Sequence, residues 1–491
     1  MLITALALAL AQPPQDPIQR IESRLYPSTP LASDPDTGWT VADRMRHHHV
    51  PGKSVAVVRN GQLAWARAYG VRDAASPASV TTRTLFQGGS ISKPVATIAL
   101  LQLVAQGRIK LDAPINASLT RWQVPANCYT SLTPVTLRHL LTHRGGITVH
   151  GFDGYVRGRP IPTLVQVLNG AAPANSPPIV VDTVPGTVGR YSGGGFTIAQ
   201  LALEDITGKA FDVYAREQIF APRGLTRTTY SQVRDNDFGG DLATGHTDGG
   251  LAIEGRWRDL PEMAAASLWS TPSDLARLIL QLQDAVRGTD RPLLPQALAR
   301  EMMTLQAPTQ GLGIGLKGDP PFRFSHSGAN DGFRAMFIGY LDRRDGIVVM
   351  TNGDDGGDLA MEYIRAVARE YGWQDLAPVV RRAVVASAEQ RARLAGRYRI
   401  SERREIDVID RDGQLLVGPA GRRPFPLLAE SDTSFIVPAI DGVELRVRRV
   451  VGGRAQEIEW WQGTQRLRAE RVAGSGYNVE SSAAPGRPAP R

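Results

Sequence analysis

Only five of the chain's 56 Lys and Arg residues are lysine (Lys53, Lys93, Lys110, Lys209 and Lys317). One of them, Lys93, follows Ser90 by three positions in GGSISKP, residues 88–94. A serine hydroxyl is a weak nucleophile until a base stands beside it. Arginine cannot be that base because it keeps its proton in a protein, whereas lysine can lose one. Positions i and i+3 share a helix face, so Ser90 and Lys93 can come within hydrogen-bond reach. Bringing a lysine from about 10.4 to near 7 takes roughly 3 pKa units, or about 4 kcal/mol, which burial or nearby positive charge can supply. A lysine laying its stem along a helix end has the same spacing, and the pair alone leaves both readings open.

Two other stretches carry comparable side chains. Tyr191-Ser192-Gly193 precedes a glycine run and a helical pattern, which puts the tyrosine on a loop able to face a cleft. A phenol near a lysine can relay protons, since opposite charge lowers its pKa from about 10; simple packing is the other reading. His326-Ser327-Gly328 begins or lies on a sheet-edge strand, where glycine lets a ligand backbone come close. A lone histidine also serves as an ordinary hydrogen-bonding residue. His143, in LLTHRGG, reads as such a residue at a helix end. Glu262 and Asp274 are acids that could approach a cleft. The run His47-His48-His49 points its rings in different directions, which excludes a shared metal there.

These residues need elements to hold them. SVAVVRN and QLAWARAYG meet across Asn60-Gly61, a hairpin signal because both turn residues must tolerate positive φ. SISKPVATIALLQLVAQGRI is apolar nearly all round, as a fully buried helix would be, with Pro94 in its first turns. Further helices are predicted at 135–142, 196–207, 210–220 and 272–286. FRAMFIGYLDRRDGIVVMTN gives a second hairpin turning at Asp345-Gly346, followed by a helix from Leu359 to Tyr371. The pattern is α+β: one antiparallel sheet built from the two ends of a domain, with helices packed around it. Past Gln374 short β-type runs (GRYRI, QLLVG, PFPLLA, SFIVPA, ELRVRR, EIEWWQ) indicate a small all-β domain. The expected organisation is a signal peptide over 1–11, a linker over 12–38, a catalytic domain over 39–372, a linker over 373–392, the β domain over 393–472 and a disordered tail over 473–491.

The formal net charge is +8, but the basic residues are dispersed and form no Lys/Arg-rich block. A mean hydropathy of -0.19 with scattered arginine describes a mildly basic soluble surface and argues against nucleic acid as a partner. Leu2–Ala11 is apolar and ends in Ala9-Leu10-Ala11, a small-x-small cleavage pattern. Ten helical residues reach only about 15 Å, half a bilayer core, so the run reads as an export signal, though without a positive n-region. The expected location is periplasmic or secreted, with no spanning segment elsewhere. Cys128 is the single cysteine, which excludes an intrachain disulfide and a thiolate metal cluster.

Taken in order, Ser90-x-x-Lys93, Tyr191-Ser-Gly and His326-Ser-Gly resemble the three motifs of the serine β-lactamase and penicillin-binding-protein-like family. That family includes class C β-lactamases, D-alanyl-D-alanine carboxypeptidases, D-aminopeptidases and carboxylesterases. VPGKSVAVVRNGQLAWARAYGVRD, LRHLLTHRGGI and LWSTPSDLARLI support the likeness, which covers about residues 39–372. The resemblance implies an antiparallel sheet flanked by helices, an all-helical lobe, and a site between them; the C-terminal part resembles the small barrel-like domains appended to such hydrolases. It implies that Ser90 becomes acylated, that Lys93 and Tyr191 share the proton, and that the backbones of Ser90 and Ala329 form the oxyanion hole. His326, Ser327, Gly328, Ala329 and Gly193 would line the substrate site, with no metal or organic cofactor. The expected substrates are esters, amides or small peptides, cell-wall fragments included. Two departures stand out. Gly193 occupies a position where many relatives carry Asn, and His326 one where the third motif often has Lys; both weaken the case for an efficient β-lactamase. The rival expectation is a non-catalytic protein that uses the same cleft to hold peptidoglycan fragments or a partner.

Overall fold

Asn60 and Gly61 both take positive φ, 50° and 78°, as the hairpin signal requires. They join β1 (Gly52–Arg59) to β2 (Gln62–Gly70). The computed structural model describes residues 16–472, apart from 28, 34–37, 291, 402–403, 421–423, 439, 441 and 463–464. The expected signal at 1–11 and tail at 473–491 lie outside the described residues. Contacts divide the chain into two units, one over Ala42–Ala360 and one joining the residues before 42 to those from Met361 onward.

In the first unit, β3 (Phe86–Gly89) runs into α1 (Ser92–Ala105), α2 spans Gly193–Thr207, and a single turn, α3 (Met263–Ala266), leads into β4 (Leu268–Ser270). Then come α4 (Pro272–Arg287), β5 (Gly315–Gly318), β6 (Pro321–Asn330), β7 (Phe333–Tyr340), β8 (Gly346–Thr351) and α5 (Gly356–Tyr371), whose last residues belong to the second unit. Six strands form one antiparallel sheet in the order β2-β1-β8-β7-β6-β5, so β1 and β8, from opposite ends of the unit, pair inside it. The α1 helix is buried on every side from Ser92 to Leu101, which explains its unbroken apolar run. Pro94 sits within its first turn, where its missing N–H costs no internal bond.

The second hairpin differs from its predicted turn. The positive φ belongs to Arg344 (54°), while Gly346 already lies in β8. A Cβ at Gly346 would come 2.8 Å from the Ile338 carbonyl oxygen and 3.1 Å from Ile279 of α4, so this glycine answers to packing. The turn also braces the first hairpin, since Asn60 N–H donates to Asp345 Oδ1 (2.9 Å) and Gly61 N–H to the Arg344 carbonyl (2.9 Å).

The stretch 12–38, expected as a linker, is more structured where it is described. Pro17–Glu22 is helical, capped by Asp16, and Ile21 in the helix and Leu25 beyond it are buried. Leu25 also exchanges backbone hydrogen bonds with Trp39.

From Gly396 the second unit builds nine strands: β9 (Gly396–Ser401), β10 (Arg404–Arg411), β11 (Gln414–Pro419), β12 (Phe425–Pro426), β13 (Leu428–Ala429), β14 (Ser434–Ile436), β15 (Val443–Val451), β16 (Arg454–Gln462) and β17 (Gln465–Arg471). Their order is β12-β11-β10-β9-β17-β16-β15-β14-β13. The two edge strands are consecutive in sequence, separated only by Leu427, so the sheet curls until its edges nearly meet. Barrel-like closure of this kind removes exposed edges. Tyr398, Leu445, Ile458 and Ala469 fill the interior.

Candidate active site

The nucleophile candidate stands at a junction. Ser90 follows β3 and lies just ahead of α1, which begins at Ser92; the helical face expected to hold Ser90 and Lys93 is thus a tight turn entering the helix. Its geometry is fixed by Ile91 N–H donating to the Gly88 carbonyl (3.1 Å) and Lys93 N–H to the Ser90 carbonyl (3.0 Å). Ser92 Oγ donates to the Gly89 carbonyl (2.6 Å) and accepts from Leu268 N–H (2.9 Å), which ties the turn to β4.

Lys93 is 1% exposed. Its Nζ lies 2.9 Å from Ser90 Oγ and 2.9 Å from the Ala265 carbonyl oxygen in α3. Burial pushes its pKa down to about 7. A neutral amine donates one N–H to Ala265 and turns its lone pair toward the serine hydroxyl, which is the arrangement a base requires. The snorkelling alternative does not hold for a lysine this enclosed.

Tyr191 reaches the same point from another part of the chain. Its phenol is hydrogen-bonded to Ser90, and Lys93 Nζ stands 4.7 Å from the centre of its ring. Burial pushes the phenol up to about 12, with the Ser90 hydrogen bond opposing. Near neutral pH the tyrosine therefore keeps its proton while the lysine can lose its own, so Lys93 is the better-poised base and Tyr191 a proton donor. The ring is flanked by His143 (centroids 4.2 Å apart) and His150 (5.0 Å). His143 Nδ1 accepts from Ser192 N–H (3.1 Å), and burial, reinforced by Lys93 and His326, holds the ring well below its ordinary pKa. This neutral imidazole fixes the Tyr191-Ser192 backbone at the entry to α2, as expected of a structural histidine.

The third motif occupies the half of β6 that β5 does not cover. β5 pairs only with residues 321–325, whereas β7 continues along β6 to Asn330. His326–Asn330 is thus a local edge within an interior strand, and it faces the nucleophile turn. A Cβ at Gly328 would collide with the Gly88 carbonyl and come within 3.0 Å of Ser90 N, so only glycine permits this approach. The approach places the backbones of Ser90 and Ala329 on one wall of the cleft. His326 is half-buried. Its Nδ1–H donates to the Ser327 carbonyl (2.6 Å), which leaves Nε2 as a bare acceptor. Burial and the proximity of Lys93 push its pKa down to about 4.

A cleft of about 610 Å³ joins all of the expected residues: Ser90, Lys93, Tyr191, Gly193, His326, Ser327, Gly328 and Ala329. A Cβ at position 193 would meet the Phe152 ring at 3.0 Å and the His150 carbonyl at 3.2 Å, so Phe152 closes up to the backbone where a side chain would begin. Glu262 and Asp274 do not line the cleft. Asp274 accepts from Arg227 N–H (2.8 Å) and Thr228 Oγ1 (3.0 Å), which makes it a structural anchor. Glu262 is fully buried at the N-terminus of α3, its two oxygens unpartnered, and burial raises its carboxyl to about 7. Sequence reasoning missed the Ala265 carbonyl, Phe152, Met336 and Arg334. A backbone acceptor leaves no trace in residue type, and the other three are cleft residues only through tertiary approach.

Residues 40–370 match the Beta-lactamase family model. Penicillin-binding protein 4 of Amycolatopsis lactamdurans is 33% identical over 178 residues, 36% of this chain and 44% of that protein. Esterase EstB of Burkholderia gladioli is 35% identical over 103 residues, 21% of this chain and 26% of the esterase. The chain thus spans less than half the length of either relative. An octameric penicillin-binding-protein homologue of Pyrococcus abyssi shares the fold, with a TM-score of 0.59 at 20% identity over 87% of this chain and 98% of its own.

Proposed function

We propose that this chain, which belongs to the beta-lactamase family, is an exported serine hydrolase that cleaves esters, amides or small peptides through an acyl-enzyme on Ser90. The observation that carries the reading is the 2.9 Å contact between Ser90 Oγ and a buried Lys93 amine whose pKa lies about 7. The neutral amine takes the hydroxyl proton as Oγ bonds to the substrate carbonyl carbon and the C=O electron pair moves onto oxygen. Ser90 and Ala329 supply the backbone N–H groups for that oxyanion, a contribution that ranks among the largest in acyl transfer. When C=O re-forms, the leaving group departs with the Tyr191 proton, and the phenolate recovers one from the Lys93 ammonium. Water then attacks the acyl carbon, the acid leaves, and Ser90 regains its proton.

The apolar run Leu2–Ala11 supports export. The family name does not single out β-lactams here, because Gly193 and His326 replace the side chains that many relatives carry at those places. Labelling with a fluorophosphonate followed by mass spectrometry tests the acyl-enzyme: an adduct on Ser90 is expected, and its absence would leave only the non-catalytic binder. Assayed side by side, p-nitrophenyl butyrate should be turned over well above nitrocefin, and the reverse order would overturn the reading of positions 193 and 326.

A further inference from the structure

Four basic side chains line the cleft, Lys93, His150, His326 and Arg334, and the His150 ring packs against Tyr191 with centroids 5.0 Å apart. Arg334 lines the cleft, but its Nη1 donates to the carbonyls of Asn330 (2.7 Å) and Phe333 (2.8 Å), and its Nη2 pairs with Asp354 (2.9 Å). Asp354 Oδ1 also accepts from Gly332 N–H (2.9 Å), so this ion pair holds the β6–β7 turn in shape. His326 offers the cleft a lone pair at Nε2. Lys93 must be neutral to act.

The two titrations cannot overlap. Lys93 is a base only above about 7, whereas His326 is a cation only below about 4. At no pH where the enzyme can work does His326 supply the fixed positive charge that a third-motif lysine would. Among the described residues lining the cleft there is no Asp or Glu either. Apart from His150, Ser327 and Asn330, the remaining wall is apolar or small: Phe152, Ala265, Ala266, Ala335, Met336 and Ala360 among them. A substrate carboxylate or ammonium bound there would lose water without gaining a counter-charge, which is unfavourable in a partly dry site.

We propose that the cleft selects acyl substrates that are uncharged along the part it encloses, and discriminates against those bearing a free carboxylate or a free ammonium there. The proposal rests on the acyl-enzyme reading above and names the substrate class of that site. It predicts poor use both of peptides ending in a carboxylate and of amino-acyl compounds with a free amine.

The test compares p-nitrophenyl hexanoate with the mono-p-nitrophenyl ester of adipic acid and the p-nitrophenyl ester of 6-aminohexanoic acid. These carry a methyl, a carboxylate or an ammonium at the chain end. Rates are taken at pH 8 on the full chain, with spontaneous hydrolysis subtracted using Ser90→Ala. The hexanoate kcat/KM should exceed both charged esters by about 10-fold or more. Asp354→Asn frees Arg334 from its ion pair while keeping an acceptor for Gly332, and should shrink the penalty on the adipate ester several-fold without helping the ammonium ester. Charged esters used within 3-fold of the hexanoate would overturn the proposal. So would an adipate penalty that stays fixed in a folded Asp354→Asn. Absence of turnover on all three esters, together with no fluorophosphonate adduct on Ser90, would instead remove the acyl-enzyme reading and this proposal with it.

Discussion

On the C-terminal sheet, Arg397 meets Asp407 on the neighbouring strand through two bonds (Nε–Oδ1 2.7 Å, Nη2–Oδ2 3.0 Å), Arg399 meets Glu405, and Arg448 meets Glu459. In the unit that holds the cleft, Lys93, His326 and Glu262 have no ion-pair partner among the described residues, and burial has displaced the pKa of each toward its neutral form. The same chemical groups therefore meet two fates. Where an opposite charge stands on the next strand, both groups keep their charges, and the most exposed of these pairs, Arg399–Glu405, contributes little because solvent screens it. Where water is excluded, the group gives up its charge, and on the proposed mechanism it is this loss that lets a lysine serve as a base. Reactivity in this molecule follows from withholding partners, and surface order from providing them.

The contrast can be broken most severely at Lys93. Lys93→Arg keeps a cation that cannot lose its proton, and kcat/KM should fall by about 1,000-fold or more, the scale of a lost general base. In the wild type, kcat/KM should rise with pH through a single limb near 7, since the amine must be deprotonated to act. An arginine variant that retains activity, or a limb that tracks an unperturbed lysine, would contradict the neutral-amine account.

Glu262 tests the same idea through stability. Its carboxyl is raised from 4.5 to about 7 on folding, so the folded state holds the proton more tightly. Its contribution is complete below the unfolded pKa and is lost as pH climbs through the folded one. At about 1.4 kcal/mol per unit, Glu262→Gln should gain roughly 3 kcal/mol on the wild type between pH 4.5 and 8 in urea unfolding. Parallel pH profiles for the two proteins would mean that the buried acid has a partner after all. Removing the phenol comes next: Tyr191→Phe should cost about 100-fold in kcat, with a smaller effect on esters whose leaving groups need no proton. The smallest effect belongs to the exposed pair. A double-mutant cycle on Arg399 and Glu405 should return about 0.2–1 kcal/mol, falling with salt. A coupling several-fold larger would erase the distinction between the two units.

Much of this was legible in the residues. The first hairpin announced itself through Asn60-Gly61, and the buried helix through its unbroken apolar run, because both signals are local. The three motifs also gave the fold class and the members of the cleft, which the structure brings together around Ser90. The second turn was misplaced because a glycine excluded by packing against Ile279 looks the same in sequence as one needed for a turn. Strands Arg404–Arg411 and Gln465–Arg471 went unread, since their alternating arginines and acids belong to a surface whose pairing partners are distant in the chain. The helix and buried residues of 16–27 were hidden by surrounding prolines and polar residues. The displaced pKa of His326 depends on the enclosure around it, which no spacing rule reports.

Phe152 has one more consequence. Its ring comes within 3.0 Å of a Cβ built at Gly193, so Gly193→Asn would need Phe152 to shift, and trimming Phe152 alone would add space without a polar group to use it. Making both changes together gives the amide the most room to form a polar contact there. Specificity at this corner is thus set by two positions at once, because the ring of Phe152 must give way by a few tenths of an ångström before any side chain fits at position 193.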